Sequence, residues 1–195
     1  MSDVRIDLSA TRQPSRRAFL QGSGTVLSAS AIALLAGCHS LSAAEKKSDG
    51  AAANDVTVLS GALAAEHQAI AAYQVGAESG LLQKPTLNLA LQFQGHHKAH
   101  ADLLAATIKQ LGGNPVAALS RYDFPVDKLK NQADVLRFAA ELERGAVSAY
   151  LGAVPLFGNR DLAKAAASIL GDEAMHWAIL RQALGEDPVP SAFVG

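Results

Sequence analysis

Cysteine is almost missing from the sequence, with Cys38 as the single thiol among 195 residues. One thiol cannot form a disulfide within the chain, even in an oxidising compartment. A cysteine-based zinc pattern, a glycine-rich phosphate loop and a Ser/His/Asp triad order are missing as well. These absences exclude the common zinc-finger, nucleotide-binding and serine-hydrolase signatures.

Basic runs are also missing from residue 39 onward. From His39 to the last residue, 13 lysines and arginines stand against 16 aspartates and glutamates, a formal charge of −3. A nucleic-acid-binding surface requires clustered positive charge. We therefore expect no nucleic-acid partner.

The first 38 residues have the layout of a targeting segment. Arg16 and Arg17 precede a weakly apolar stretch, residues 22–36, that is rich in Gly, Ala and Ser. The stretch is too short and too polar for a comfortable transmembrane span. The pattern resembles a twin-arginine export signal, which implies the twin-arginine export machinery as a partner.

The targeting segment ends in Leu-Ala-Gly-Cys at residues 35–38, which resembles the lipobox of bacterial lipoproteins. The resemblance implies lipidation of Cys38, a membrane anchor and a location in the periplasm or cell envelope. The alternative is ordinary signal cleavage nearby, with Cys38 discarded. Residues 39–54 are mostly Ala, Ser, Lys, Asp and Gly, and they predict a flexible tether between anchor and domain.

Apolar residues from position 55 onward recur at intervals of three and four, with almost no strand-like alternation. Four helices are predicted, at about 56–80, 86–111, 132–154 and 160–184, with glycines or prolines at their ends. The first and last pairs have short connections, whereas residues 112–131 form a long irregular link. The prediction for residues 55–195 is an all-α antiparallel four-helix bundle, built as two hairpins joined by a long crossover.

An internal repeat supports two equivalent hairpins. In the first and third helices, Glu66 and Tyr73 match Glu143 and Tyr150, each 77 positions later. In the second and fourth helices, the offset is 76, and the matched residues are Gly95, His97, Ala99, His100 and Leu104 with Gly171, Glu173, Met175, His176 and Leu180.

The repeat places acidic side chains in stripes that otherwise face the core. Glu66 and Glu143 lie on the apolar faces of helices one and three, and Glu173 stands three residues before His176 on helix four. A buried carboxylate without a partner costs several kcal/mol or neutralises itself. These glutamates therefore require partners inside the bundle.

The four residues Glu66, Glu143, Glu173 and His176 resemble the ligand pattern of the ferritin-like superfamily, over about residues 55–184. The resemblance implies one or two transition-metal ions, such as Fe, Zn, Mn or Cu, in the bundle core. Helix two departs from the pattern, because His97 stands where the family has a glutamate, three residues before His100. The implied ligand set is Glu66, His97, His100, Glu143, Glu173 and His176.

Alternatives remain for individual residues and for the cluster. His96 competes with His97, since His96 and His100 share a helix face, whereas His67 is expected to be exposed. Tyr73 and Tyr150 are expected to pack with hydrogen-bonded hydroxyls, with a role beside the metal as the alternative. The alternative for the cluster is a metal-free bundle in which three glutamates pair with three histidines.

Three functions are compatible with this pattern. The first is an envelope protein that binds and buffers a transition metal, which the nitrogen-rich ligand set favours. The second is a di-iron or di-manganese oxidoreductase acting on dioxygen or peroxide. The third is a metal-free structural or interaction bundle. Neither an enzymatic role nor an oligomeric state follows from the sequence.

The targeting interpretation predicts two separable defects. Replacing Arg16 and Arg17 by Lys is expected to trap the protein in the cytoplasm, because the export machinery recognises the paired arginines. Cys38→Ala is expected to abolish membrane anchoring and to leave the folded domain unchanged. Cell fractionation with immunoblotting measures both; membrane-bound protein that persists in Cys38→Ala would contradict the lipoprotein assignment.

Overall fold

A computed structural model of the protein describes residues 48–194. The predicted signal segment at 1–38, with Cys38, and the first part of the predicted tether lie outside these residues. The four helices of the described part are α1 Ser48–Glu78, α2 Lys84–Gln110, α3 Gln132–Ala153 and α4 Arg160–Ala183. Residues 48–194 contain no strand, which confirms the all-α prediction.

The helices form two antiparallel hairpins, with α1 packed along α2 and α3 packed along α4. Residues 79–83 connect the first hairpin, and a short 3-10 turn at Val154–Leu156 lies in the second connection. Residues 111–131 cross between the hairpins and contain only a 3-10 turn, Val126–Lys128. This arrangement confirms the predicted ferritin-like bundle with one long crossover.

Local signals account for most helix ends. Glycines follow three of the helices with positive φ, 71° at Gly80, 80° at Gly112 and 76° at Gly185, a conformation that other residues rarely adopt. The side chains of Asn131 and Asn159 cap α3 and α4 by accepting hydrogen bonds from the backbone N–H of Asp134 and Asp161.

The start of α1 differs from the sequence-based prediction, because the helix begins at Ser48 and not near residue 56. Alanines in residues 48–54, which the composition assigned to the tether, favour helix. Buried Asp55 accepts hydrogen bonds from the backbone N–H of Gly158 at 2.8 Å and of Asn159 at 3.2 Å. This part of α1 is thus tied to the segment before α4.

Two apolar clusters fill the bundle on either side of a polar centre. One includes Leu63 and Ile108, and the other includes Phe93 and Leu180. On α4 the order Ile169, Glu173–His176, Leu180 passes from one cluster through the centre to the other. Within residues 48–194, no helix is long and apolar enough to span a membrane.

Replacing Asp55 tests the link between α1 and the start of α4. Asp55→Ala removes the acceptor of two backbone N–H groups and is expected to lower the free energy of unfolding by roughly 1–3 kcal/mol. Urea denaturation followed by circular dichroism measures the loss. Asp127→Ala, at an exposed position of the crossover, is the matched control and should change stability little. Equal stability of the two variants would refute the link.

Candidate metal centre

The six side chains predicted from the sequence converge in the middle of the bundle, two from α2, two from α4 and one each from α1 and α3. Glu66, His97, Glu143, Glu173 and His176 are at most 2% exposed, and the His100 side chain is 14% exposed. Each stands at a position whose neighbours along the helix face the core. The packing of the two equivalent hairpins therefore brings all six side chains together. That they bind a metal stays a prediction.

One group of potential ligands consists of Glu66, His97, His100 and Glu173. The Nδ1 atom of His97 lies 2.8 Å from a Glu66 oxygen and 3.5 Å from Oε1 of Glu173. The Nδ1 atom of His100 lies 3.2 Å from the same Glu173 oxygen. Two carboxylates and two imidazoles thus surround one point.

A second group consists of His97, Glu143, Glu173 and His176. The Nε2 atom of His97 lies 3.2 Å from a Glu143 oxygen. The Nδ1 atom of His176 lies 3.3 Å from Oε2 of Glu173 and 3.5 Å from Glu143. The two groups share His97 and Glu173, the pair that the repeat matches between α2 and α4.

Several polar atoms of the centre have no hydrogen-bond partner among the described residues, although they are fully buried. They are Nδ1 of His100, Nδ1 of His176, Oε2 of Glu143 and both carboxylate oxygens of Glu173. Buried atoms of this kind normally find a partner, and leaving one unsatisfied costs roughly 1–3 kcal/mol. Carboxylate oxygens and imidazole nitrogens are also the donors that transition metals bind. The residues present therefore fit a metal centre.

Two tyrosines hold in place the glutamates of α1 and α3, Glu66 and Glu143, which are called the outer glutamates. The Tyr150 hydroxyl on α3 donates to Glu66 on α1 at 2.6 Å, and the Tyr73 hydroxyl on α1 donates to Glu143 on α3. Burial raises the pKa of both tyrosines well above 10.0, so both stay protonated donors at neutral pH. Each hairpin thus orients a carboxylate of the other, which is the hydrogen-bonded role expected for these tyrosines.

The carboxylates keep the three central histidines protonated. Burial lowers the pKa of His97, but hydrogen bonds to Glu143 and Glu66 outweigh it and raise the pKa to about 10. The same competition raises the pKa of His100 to about 11, mainly through Asp172, and that of His176 to about 9, mainly through Glu143. At neutral pH each ring therefore carries a proton that a metal ion would have to replace.

The three glutamates divide into two kinds. Burial raises the pKa of Glu66 and Glu143, but the neighbouring histidines outweigh it and hold both values below the usual range. Burial and the adjacent Glu143 carboxylate instead raise the pKa of Glu173. Glu173 is thus the carboxylate whose negative charge is least compensated, although both groups of ligands share it.

Asp172, which lies beside the centre on α4, was not among the residues predicted from the sequence. One oxygen of Asp172 lies 3.4 Å from Nε2 of His100, 3.3 Å from Nε2 of His176 and 3.2 Å from Nδ1 of His96. A carboxylate that accepts from the outer nitrogen of a histidine directs its other nitrogen inward. The spacing of four residues between Asp172 and His176, which places both on one face of the helix, is the signal that would have indicated it.

The structure also separates the neighbouring histidines. His97 is inside the centre, whereas the His96 side chain is 38% exposed and reaches the cluster only from outside. His67 lies apart, 3.3 Å from the backbone carbonyl of Val116.

The comparisons with known proteins agree with this fold. The ferritin-like domain family matches residues 54–186, more than half of the chain. A conserved hypothetical protein from Mycobacterium tuberculosis has a similar structure, with a TM-score of 0.64 and 24% identity over 73% of this chain and 99% of that one. A ferritin-like, diiron-carboxylate protein from Bacillus anthracis also has a similar structure, with a TM-score of 0.60 and 21% identity over 69% of this chain and 97% of that one.

At these identities the two solved structures establish a shared fold only. No curated protein is significantly similar in sequence. The family match over residues 54–186, the two-hairpin topology and the buried centre of carboxylates and histidines lead to one assignment. The chain belongs to the ferritin-like domain family.

Proposed function

We propose that this is an envelope-exported ferritin-like protein, anchored through Cys38, that binds one or two transition-metal ions at its buried centre. The observation that carries the metal assignment is Glu173, whose two buried carboxylate oxygens have no hydrogen-bond partner within residues 48–194 and face different groups of ligands. A carboxylate in this position is suited to two adjacent cations. The paired arginines of the N-terminal segment support export.

The charge of the centre favours cation binding. Three carboxylates and three neutral imidazoles would leave two divalent ions with a residual charge of +1, close to neutrality for a buried site. Without a metal, protons on His97, His100 and His176 supply the compensating charge. Metal ions and protons therefore compete for the same nitrogens.

His97 makes the two groups of ligands unequal. Its Nδ1 faces Glu66 and its Nε2 faces Glu143, but a neutral imidazole has only one nitrogen lone pair to donate. The ring thus serves one ion, whereas the glutamate at this position in the family pattern has an oxygen for each. We infer two subsites of unequal affinity, and the nitrogen-rich set favours Zn, Cu or Fe over Mn.

Zinc binding tests the proposal. Full-length protein stripped of metal is expected to bind one or two zinc ions, and zinc at a hundred times its Kd should stabilise the fold by about 2.7 kcal/mol. Affinity should increase between about pH 6 and 9, because the central histidines, with pKa values raised to about 9–11, must release protons. Calorimetric titration and thermal melts measure both effects.

A matched pair of variants locates the bound ion. Glu173→Gln keeps the size of the side chain but removes the shared charge, and zinc affinity should fall at least about tenfold. Glu78→Gln, at the exposed end of α1, should bind like the wild type. Zinc binding that is absent in the wild type, or unaffected by Glu173→Gln, would refute the metal centre.

A cavity between α1 and α3 favours a second candidate, an oxidoreductase acting on dioxygen or peroxide. The cavity has a volume of about 440 Å³ and is lined largely by glycine and alanine. Ala65 and Ala149 lie at its exposed mouth, and Glu66, His97 and Tyr150 lie at its inner end. Small uncharged molecules can therefore approach the centre. A redox metal held there would supply electron transfer.

Narrowing the cavity tests this second candidate. Iron-loaded protein is expected to consume dioxygen or peroxide, and Ala149→Leu should slow the reaction without changing the iron content, because a larger side chain fills the mouth. An oxygen electrode and a peroxide assay measure the rates. Ser148→Leu, which introduces the same side chain at an exposed position outside the cavity lining, is the control. Iron-loaded wild type that consumes neither molecule would exclude the oxidoreductase.

A further inference from the structure

A third set of potential metal ligands, called the outer set, lies outside the centre, between α2 and α4. It consists of Nδ1 of His96, one oxygen of Asp172 and Nε2 of His176. The His96 nitrogen is 3.2 Å from the Asp172 oxygen and 2.8 Å from the His176 nitrogen, and the latter two atoms are 3.3 Å apart. Three ligand atoms, one from α2 and two from α4, thus lie around one point.

These separations match the demands of a transition metal. Bonds of about 2.0–2.1 Å at tetrahedral angles place neighbouring ligand atoms about 3.3 Å apart. Two of the three separations have this value already, and the third requires His96 and His176 to move apart by a few tenths of an ångström. Two imidazoles and one carboxylate form a ligand set that zinc, cobalt and iron accept.

The outer set is more exposed to solvent than the centre. The side chains of His96 and Asp172 are 38% and 24% exposed, whereas that of His176 is 2% exposed. The Phe93 ring stacks on the His176 ring with centroids 4.0 Å apart, which holds the plane of the imidazole. Nδ1 of His176 lies 3.3 Å from Glu173 in the centre, while Nε2 lies 3.3 Å from Asp172 in the outer set.

We propose that His96, Asp172 and His176 form an outer loading site, at which a divalent transition-metal ion binds before it moves to the buried centre. This rests on the proposed function for the second step, since the centre is where the ion goes. His176 belongs to both sites through different nitrogens, and a neutral imidazole has one lone pair to donate. The ring therefore binds an ion through one nitrogen at a time, so an ion is bound at the outer site only transiently.

Cobalt(II) chloride is the probe, because tetrahedral cobalt absorbs visible light. In full-length protein with Glu143→Gln and Glu173→Gln, the centre is disabled and the outer set is intact. This variant is expected to bind one cobalt ion per chain, and adding His96→Ala should abolish that binding. Circular dichroism melts verify that both variants are folded. A double variant that binds no cobalt would overturn the outer site, whatever the wild type binds.

Stopped-flow loading of the otherwise wild-type protein tests the order of events. His96→Ala should slow cobalt uptake by about tenfold, the lower range of losses at supporting groups of metal sites, while the final stoichiometry and affinity stay unchanged. His67→Ala is the matched control, because His67 belongs to neither site. An unchanged loading rate, or a weaker final affinity as the only effect, would overturn the loading role. Wild type that takes up no cobalt would refute the central metal site instead.

Discussion

Three carboxylates share one small buried core, and the rest of the bundle is arranged around their charge. Glu66, Glu143 and Glu173 are 2%, 1% and 0% exposed. Burying an ionised carboxylate costs several kcal/mol unless positive charge and hydrogen bonds compensate it. His97 at 2.8 Å and Tyr150 at 2.6 Å supply both for Glu66, whereas the two oxygens of Glu173 lack a hydrogen-bond partner in the described residues. This deficit is what a bound cation would remove.

The near-symmetry of the two hairpins explains why compensation is good at the outer glutamates and poor at the shared position. Tyr73 and Tyr150 donate across to Glu143 and Glu66, so the hydroxyl contacts occur as an equivalent pair. The symmetry fails at His97, which matches Glu173 in the repeat but carries the opposite charge when protonated. In the proposed function, this one exchange lowers the negative charge of the centre and makes its two halves unequal.

Two routes lead to the centre from different sides of the bundle, and the residues that line them differ in polarity. Between α1 and α3, glycines and alanines leave a cavity that ends at Glu66, His97 and Tyr150. Between α2 and α4, His96 and Asp172 place polar ligand atoms beside His176. An apolar passage suits small neutral molecules and a polar one suits cations. The proposed routes for metal and for a reactant are therefore on opposite faces.

The sequence by itself determined the four helices, the two hairpins and five of the six residues at the centre, and it left His96 as an alternative to His97. Periodicity specifies which face of a helix is apolar, and the repeat doubles the information at Glu66 with Glu143 and at His100 with His176. Only the tertiary structure decided between His96 and His97, because adjacent positions differ by about 100° and packing selects the one that is buried. Asp172 and the α1–α3 cavity likewise depend on distances between helices, which a pattern along one helix does not contain. The contacts of Asp55 in the early part of α1 also depend on the tertiary structure, because its partners Gly158 and Asn159 are more than 100 residues away in the chain.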